Sequence, residues 1–187
     1  MITIEIHLGP EANLGIFEVL VVDGVLAPEV CDEIRSRAVT VAWRPGHEPV
    51  DRGATWVSQP LPCRPDQTPV PQVAAVLGEL NATRFRVSAE ELAAHDPPLV
   101  VRYSAGCTGR TPALGLSPEL STRKLGFLLA LGDRSAIGGH PVVAGKEYEL
   151  APGAMIVFPA LSQVGMSGVK QGRREFLEGW LHGPAWR

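Results

Sequence analysis

The strongest constraint on the fold lies in the second half of the sequence, which alternates short apolar segments with breaks of Gly, Pro or Ser. Short runs rich in Val, Ile, Leu and aromatic residues, bounded by turn residues, predict β-strands. Many such strands in close succession predict a barrel-like arrangement. We therefore expect barrel strands over about 99–182, formed by the segments LVVRY, KLGFLLAL, HPVV, EYEL, AMIVF and EFLEGWL.

The region before these strands has helical periodicity instead. Apolar residues recur every three to four positions from Pro28, which suits the first turn of a helix, and they do so again around 71–80. A third short helix is expected at 88–95, because Ser88 followed by Glu91 matches a capping box. Residues from about 27 to 95 thus predict helices that buttress the barrel.

Short strands are expected near the N-terminus, at 2–8 and 16–22, followed by a turn at Asp23-Gly24. Residues 44–69 contain six prolines and predict an irregular excursion with a possible strand at 54–59. No internal repeat or linker divides the chain, so residues 1–187 are expected to form one domain of the α+β class, mainly β.

Charge and cysteine content narrow the possible partners. A net charge of -3 and a pI near 6.0 offer no broad basic field, so neither nucleic acid nor an anionic membrane is an expected partner. No secretory signal and no apolar stretch long enough to cross a bilayer are visible. The cysteines Cys31, Cys63 and Cys107 are odd in number and widely spaced, which predicts neither disulfides nor a zinc site. A cytoplasmic protein with a small-molecule or protein partner is expected.

Four segments, in this order, resemble the prolyl-4-hydroxylase-like branch of the 2-oxoglutarate/Fe(II) oxygenases. They are VVDGVLAPEVCDEI at 21–34, RYSAG at 102–106, RKLGFLLALGD at 123–133 with the following Gly138-Gly139, and PGAMIVFPA at 152–160 with the following Gly172, Arg174 and GW at 179–180. The resemblance covers most of the chain. It implies a double-stranded β-helix core, of the jelly-roll or cupin-like kind.

The family's iron ligands are not matched. Its members bind Fe(II) through His-x-Asp and a distal His, which leaves three positions open for 2-oxoglutarate and O₂. Counted from the RYSAG segment, His-x-Asp would fall at Pro112-Ala113-Leu114, and the distal His, ten residues before Arg174, would fall at Val164. None of these residues carries a ligand atom, so no metal site and no cofactor are expected. The alternative is Fe(II) with 2-oxoglutarate, held by unusual residues such as His47, Asp51 or His140.

The resemblance also implies candidate substrate-binding residues. Arg174 matches the basic residue that grips the distal carboxylate of 2-oxoglutarate, and a guanidinium can make a bidentate contact with a carboxylate. Phe176 replaces a Ser that often touches the same group, and Ala130 replaces a frequent Tyr. The pocket is therefore expected to be reshaped and less polar, with Arg174, Tyr103, Phe176 and Trp180 binding a small, anionic or carbonyl-bearing substrate.

Strand alternation supplies the catalytic candidates, because residues 174, 176, 178 and 180 fall on one face. Glu178 is either a general acid or base, or a structural partner that offsets Arg174. Tyr103 is either a hydrogen-bond donor to the ligand or a core residue. Cys107 is a candidate nucleophile at the expected mouth of the barrel, although nothing near it in sequence would lower its pKa.

The histidines form no evident site. His140 is either a metal ligand or, as we favour, an exposed strand residue. The others, His7, His47, His95 and His182, are expected on the surface or in loops.

Three functions remain open at this point. The first is a metal-independent, redox-neutral enzyme of the cyclase, isomerase or lyase type in bacterial specialised metabolism, in which the barrel holds a reactive conformer. The second is a catalytically silent binding or partner protein that keeps only the fold. The third is an iron oxygenase with unorthodox ligands.

Overall fold

The computed structural model describes residues 3–7, 18–38, 44–45, 56–61, 66–67, 69–92, 96–107, 109–111, 121–132 and 135–185. Two α-helices are present in these ranges, α1 at Pro28–Ala38 and α2 at Val70–Leu80, and α2 continues into one π-helical turn at Asn81–Phe85. The strands are β1 Thr3–His7, β2 Val19–Asp23, β3 Arg44–Pro45, β4 Trp56–Pro60, β5 Leu99–Ser104, β6 Gly109–Thr111, β7 Arg123–Gly132, β8 Ile137–Gly138, β9 Pro141–Val143, β10 Lys146–Glu147, β11 Met155–Pro159, β12 Val164–Met166, β13 Val169–Gln171 and β14 Arg173–His182.

The strands form one large and two small antiparallel sheets. The large sheet has eight strands in the order β1-β2-β11-β7-β14-β5-β4-β3, and its centre is the pairing of the two long strands β7 and β14. A four-stranded sheet has the order β10-β9-β12-β6, and β13 pairs with β8. Strands far apart in sequence are neighbours in every sheet, as expected for a wound β-structure rather than a simple meander.

One face of the large sheet packs against the helices. Cys31, Ile34 and Ala38 recur every three to four residues and form the buried stripe of α1. They join an apolar cluster with Val73, Leu77 and Leu80 of α2 and with Phe127, Leu129, Leu177 and Leu181 of the sheet. Each buried Val, Leu, Ile or Phe side chain contributes roughly 1.5–3 kcal/mol relative to an exposed one.

The opposite face of the large sheet forms the interior of the barrel. Its apolar cluster takes Leu128 and Ala130 from β7, Phe176 and Trp180 from β14, Ile156 and Phe158 from β11, and Val143 and Met166 from the four-stranded sheet. Even-numbered residues of β14 therefore face inward, whereas Leu177 and Leu181 face the helices. This is the alternation predicted from the sequence.

Glycine and aromatic residues alternate across the centre of the large sheet. Gly126 is paired with Phe158 on one side and with Trp180 on the other, and the two rings meet edge to face with centroids 5.8 Å apart. A Cβ on Gly126 would lie 2.5 Å from an atom of each ring. On the helix-facing side, Gly179 is paired with Phe127, and a Cβ there would lie 2.6 Å from that ring. The rings thus occupy the space that the missing side chains leave.

The third helix predicted at 88–95 is wrong over residues 88–92, and residues 93–95 lie outside the described part of the chain. The π-helical turn ends where Arg86 adopts a left-handed conformation with φ of 53°. The side-chain amide of Asn81 then donates to the Val87 carbonyl and accepts from the Val87 N–H. Glu90 donates its backbone N–H to the His182 carbonyl, which ties the segment to the end of β14.

Most of the other predicted elements are present. The N-terminal strands, the strand at 54–59 and the first two helices correspond to β1, β2, β4, α1 and α2. The predicted strand EYEL is wrong beyond Glu147, because Tyr148 leaves the strand and donates its N–H to the Pro141 carbonyl. No helix among the described residues is long and apolar enough to cross a membrane.

Candidate functional site

The candidate site lies on the inner face of β5 and β14. Tyr103 is paired with Arg174, so these residues lie side by side at the end of the two strands. Tyr103 packs against the inner apolar cluster, and its ring meets that of Phe176 edge to face with centroids 6.1 Å apart. Glu178, half-buried, follows on the same inner face of β14. The structure therefore brings together most of the residues that the sequence singled out.

The Tyr103 hydroxyl is in an environment that keeps it protonated. Desolvation raises the pKa of Tyr103 well above its usual value, and the negative charge of Glu178 raises it further, with a smaller contribution from the neighbouring Cys107. A phenol of this kind acts as a hydrogen-bond donor or general acid rather than as a phenolate. Glu178 and Cys107 thus each lie close enough to Tyr103 to act on its hydroxyl electrostatically.

Cys107 differs from its prediction. Its side chain is fully buried rather than lying at an open mouth of the barrel. Its backbone N–H donates to the Ser104 carbonyl, and its carbonyl accepts from the N–H of Val169, so the residue closes the turn after β5. Burial of this kind disfavours the thiolate, which is the form that attacks a substrate. Tyr103 and Glu178 are the stronger candidates.

Arg174 has partners that the sequence did not suggest. Its Nε donates to the Gly138 carbonyl at 2.9 Å, and its Nη2 donates to the Ala136 carbonyl at 3.1 Å. A Cβ on Gly139 would lie 2.7 Å from Cγ of Arg174, so the stem of the arginine packs closely on this glycine. The guanidinium fixes the turn before β9, in addition to any contact that it makes with Glu178 or with a ligand.

A cleft of about 580 Å³ opens beside Arg174. It is lined by residues 130 and 132 at the end of β7, by 139–141, by 149–152 and by 174–176 at the start of β14. Volumes of this size are typical of small-molecule sites. The small side chain of Ala130, where relatives often carry a Tyr, lies on the wall of this cleft.

Trp180 lies further along the inner face of β14, away from this cleft. It is buried against Phe158, and the guanidinium of Arg123 lies 4.6 Å from the centroid of its ring, a cation–π contact. These contacts hold the indole in the packed part of the barrel.

One of the expected iron-ligand positions, Val164, lies on a described strand. Val164 of β12 is paired with Thr111 of β6, and Pro112 follows Thr111 in sequence. The side chain of Val164 packs against the inner apolar cluster and carries no ligand atom. Residues 112–114, as well as His47 and Asp51, lie outside the described ranges. Within those ranges, no group of three His, Cys, Asp or Glu side chains could hold a metal ion.

Two histidines depart from their predictions. His140 is half-buried just before β9, where its backbone N–H donates to Ser167 Oγ, and it lines the cleft. His182 is buried at the end of β14 rather than exposed, with Nδ1 3.0 Å from Thr122 Oγ1 and Nε2 3.4 Å from Asp96 Oδ2. His47, His95 and the side chain of His7 lie outside the described part.

A buried charge cluster next to the site was missed. Glu175 faces the helices, is 1% exposed and contacts three arginines: Arg35 Nε at 2.9 Å, Arg102 Nε at 2.6 Å and Arg173 Nε at 3.8 Å. The sequence did contain an indication of this cluster: Glu175 lies two residues before Leu177, so both side chains are on the apolar, helix-facing side of β14. A carboxylate at such a position requires cationic partners.

Solved structures similar to this chain are prolyl hydroxylases and related oxygenases. A prolyl-4-hydroxylase of Pseudomonas putida has a TM-score of 0.65 and 18% identity, covering 89% of this chain and 93% of that chain. A prolyl hydroxylase of Trichoplax adhaerens, in complex with a hypoxia inducible factor peptide, has a TM-score of 0.65 and 12% identity, with 88% and 83% covered. A 2OG-Fe(II) oxygenase family protein of Burkholderia pseudomallei has a TM-score of 0.61 and 15% identity, with 89% and 86% covered.

No protein-family model matches the sequence, and no curated protein is a detectable relative. At identities of 12–18% the likeness to solved structures shows the fold alone. The chain therefore has the double-stranded β-helix fold of the prolyl-4-hydroxylase-like oxygenases, which confirms the predicted fold class.

Proposed function

We propose that this chain, which has the fold of the prolyl-4-hydroxylase-like oxygenases, is a metal-independent and redox-neutral enzyme acting on a small, carbonyl-bearing molecule. The observation that carries the proposal is that a protonated Tyr103 shares the inner face of the barrel with Glu178 and is close enough for the charge of Glu178 to act on its hydroxyl. An acid and a carboxylate on one wall are the minimum for moving a proton without changing the oxidation state of the substrate.

The proposed chemistry is proton abstraction next to a carbonyl group. The Glu178 carboxylate takes a proton from the carbon adjacent to the carbonyl, and the electron pair of that C–H bond moves onto the carbonyl oxygen. The Tyr103 hydroxyl donates a hydrogen bond to this oxygen as its negative charge develops. In a β,γ-unsaturated substrate, return of the proton from Glu178 to the γ-carbon moves the double bond into conjugation and gives an isomer. In a substrate with a second carbonyl group, the enolate carbon attacks that carbonyl carbon, the electron pair of its C=O bond moves onto the oxygen, and this oxygen takes the proton held by Glu178, which closes a ring. No electron acceptor is needed.

The residues at the expected iron positions do not fit the metal of the fold family. The side chains of Val164, Pro112 and Leu114 carry no ligand atom that could replace the two imidazoles and the carboxylate of the facial triad. For this reason the proposal assigns no step to iron. Phe176, buried in place of a polar residue, supports a substrate with an apolar portion near Arg174.

A second candidate is a binding protein without catalysis. It is favoured by the hydrogen bonds of Arg174 to the backbone of Ala136 and Gly138, because an arginine that fixes a turn has a structural role that needs no substrate. Under this alternative, Tyr103 and Glu178 orient a ligand but transfer no proton.

The two candidates are separated by proton exchange. Keto acids of increasing length are incubated with the protein in D₂O and a metal chelator, and deuterium incorporation is followed by mass spectrometry. Tyr103→Phe and Glu178→Gln should each slow the exchange by about 10²-fold or more, whereas Glu79→Gln on the exposed face of α2 should not. Exchange that requires added Fe(II), or that persists in both variants, would overturn the proposal. Binding without any exchange would favour the second candidate.

A further inference from the structure

We infer that Thr122, His182 and Asp96 form a catalytic site of their own, which transfers acyl groups from carboxylic esters to water. These residues lie at the end of β14, whereas Tyr103 and Arg174 are paired near its start. Residues 174 and 182 of an extended strand are roughly 25 Å apart. The inference therefore does not depend on the proton transfer proposed above.

An irregularity in the pairing of β7 with β14 brings the hydroxyl and the imidazole together. After a shift of register, His182 is paired with Arg123, which leaves Lys124 as an extra residue on β7. The Gly183 N–H then donates to the Thr122 carbonyl at 2.8 Å. The bulge thus moves Thr122 one residue closer to His182 along β14. Bulges of this kind commonly redirect side chains next to active sites.

The Thr122 hydroxyl is within hydrogen-bond distance of the imidazole. Thr122 Oγ1 lies 3.0 Å from His182 Nδ1, and Nε2 of the same ring lies 3.4 Å from Asp96 Oδ2. In a neutral imidazole the nitrogen beside a carboxylate carries the hydrogen, because two acceptors that face each other repel. Nδ1 therefore has the lone pair, and the Thr122 hydroxyl donates to it. A histidine in this position can take the hydroxyl proton as Thr122 attacks a substrate.

The exposure of the three side chains suits these roles. His182 is buried, whereas Thr122 is half-buried and Asp96 is exposed. An ester can therefore approach the hydroxyl from solvent while the imidazole is shielded. At 3.4 Å the contact with Asp96 is longer than a strong hydrogen bond, so this carboxylate acts through its negative charge, which stabilises the imidazolium once it forms.

Arg123 adds a positive charge beside the nucleophile. It directly follows Thr122 in sequence, and its Nη2 lies 3.7 Å from Asp96 Oδ2. Its guanidinium is held over the ring of Trp180, 4.6 Å from the centroid. The carbonyl oxygen of the ester becomes negatively charged when Thr122 attacks, and a cation held nearby lowers the energy of that intermediate.

The proposed reaction has two steps. Thr122 Oγ1 attacks the carbonyl carbon while His182 Nδ1 takes the hydroxyl proton, and the electron pair of the C=O bond moves onto its oxygen. This pair then re-forms the C=O bond, the bond to the alcohol oxygen breaks, and that oxygen takes the proton from His182. Water, which loses a proton to His182, next attacks the acyl-threonine. Thr122 Oγ1 recovers this proton as the carboxylic acid leaves.

The test uses para-nitrophenyl acetate, because absorbance measures release of the phenol and mass spectrometry of peptides locates the acetyl group. The wild type should turn over repeatedly and, after an acid quench, carry acetyl on the peptide that contains Thr122. Thr122→Val keeps the shape of the side chain without its hydroxyl. It should abolish this acetylation and lower the rate about 10²-fold or more, and His182→Gln should lower the rate similarly. Acetyl groups found only at other residues would refute the inference.

Further variants separate catalysis from a structural role of the same contacts. Thr122→Ser keeps the hydroxyl and should stay within about fivefold of the wild-type rate. Asp96→Asn should lower the rate only about 2- to 5-fold, the size expected of an exposed charge. The control is Thr83→Val, an exposed threonine whose hydroxyl donates to the Glu79 carbonyl, and it should change nothing.

Two results from these variants would overturn the assignment. One is a Thr83→Val protein that is as slow as Thr122→Val. The other is a Thr122→Ser protein that is as slow as Thr122→Val while both melt at the wild-type temperature, since a nucleophilic hydroxyl would then make no difference.

Discussion

The Nε of Arg35 donates a 2.9 Å hydrogen bond to the carboxylate of Glu175, which joins α1 to β14 directly behind the inward-facing Arg174 and Phe176. The same carboxylate accepts a 2.6 Å hydrogen bond from Arg102 on β5, next to Tyr103. The buried carboxylate of Glu175 thus holds α1, β5 and β14 together. Their position relative to one another determines where the inner side chains of β5 and β14 lie.

Replacing Glu175 by Gln should therefore destabilise the fold strongly. The change removes the buried carboxylate that Arg35 and Arg102 share, while Arg35 keeps its exposed partner Asp32. Breaking a buried pair typically costs about 3–5 kcal/mol. The free energy of unfolding from urea titrations measures this loss. The matched control is Glu33→Gln, because Glu33 forms an exposed pair with Arg37 on α1, and such pairs contribute about 0–1 kcal/mol. A loss below about 1 kcal/mol for Glu175→Gln would contradict the central role of this carboxylate.

Gly126→Ala should destabilise the barrel by about 1–3 kcal/mol through overpacking. The added Cβ would lie 2.5 Å from ring atoms of both Phe158 and Trp180, which are themselves buried. Gly78→Ala is the control, because Gly78 lies in α2 with no atom within 4 Å of the added Cβ. That change should stabilise the protein by about 0.4–1 kcal/mol. Thermal melts of both variants measure these changes. If Gly126→Ala proved stabilising, the rings of Phe158 and Trp180 would have to move aside at little cost.

Protein incubated with Fe(II) and desalted should retain far less than one iron per chain, since Pro112, Leu114 and Val164 provide no donor atoms. Metal analysis by mass spectrometry measures this directly. Iron near one per chain, released slowly by a chelator, would support the unorthodox oxygenase, as would succinate formed from 2-oxoglutarate above the level of a boiled control.

A triple variant tests the positions themselves. Pro112→His, Leu114→Asp and Val164→His together should raise the affinity for Fe(II) above that of the wild type, because β12 and β6 hold residues 164 and 111 opposite each other. The control is Val142→His in place of Val164→His, since Val142 is paired with Gly165 rather than with Thr111. Equal iron binding by the two triple variants would show that the expected positions are displaced.

Stability should fall between pH 9 and pH 11 because of Cys31. Burial, followed by the charge of Asp32, raises the pKa of this thiol from 9.0 to about 11. Above pH 9.0 the unfolded chain releases the proton while the folded chain keeps it, so unfolding becomes easier as pH rises, by up to about 2–3 kcal/mol. Cys31→Ala should be less stable than the wild type at pH 8 but should lose this part of the slope. Urea titrations of the wild type and of Cys31→Ala at pH 8 and pH 11 measure this difference. An equal loss of unfolding free energy in both proteins would show that Cys31 is not its cause.

The sequence predicted those features that depend on regular spacing. The inward row of β14 followed from a period of two, and α1 followed from apolar residues spaced three to four apart. The helix expected from Ser88 and Glu91 does not form over the described residues there. The backbone N–H of Glu90 donates to the carbonyl of His182 instead, and a local capping pattern gives no information about a partner so distant in sequence.

The details of the candidate site depended on contacts that leave little trace in a sequence. Arg174 is bonded to main-chain carbonyls, which every residue possesses, so its partners at Ala136 and Gly138 could not be read from residue types. The cleft arises where four separate segments meet, and the burial of Cys107 results from a turn bonded to Val169. Such features become visible only when the chain is folded.

The alternating glycines and rings of β7, β11 and β14 also have an evolutionary consequence. Gly126 is covered by Phe158 and Trp180 on the inner face, and Gly179 is covered by Phe127 on the other. A mutation at either glycine is therefore tolerated only together with a smaller residue at its partner position. Homologues of this chain should show correlated substitutions at 126 with 158 or 180, and at 179 with 127, with the two sets varying independently of each other.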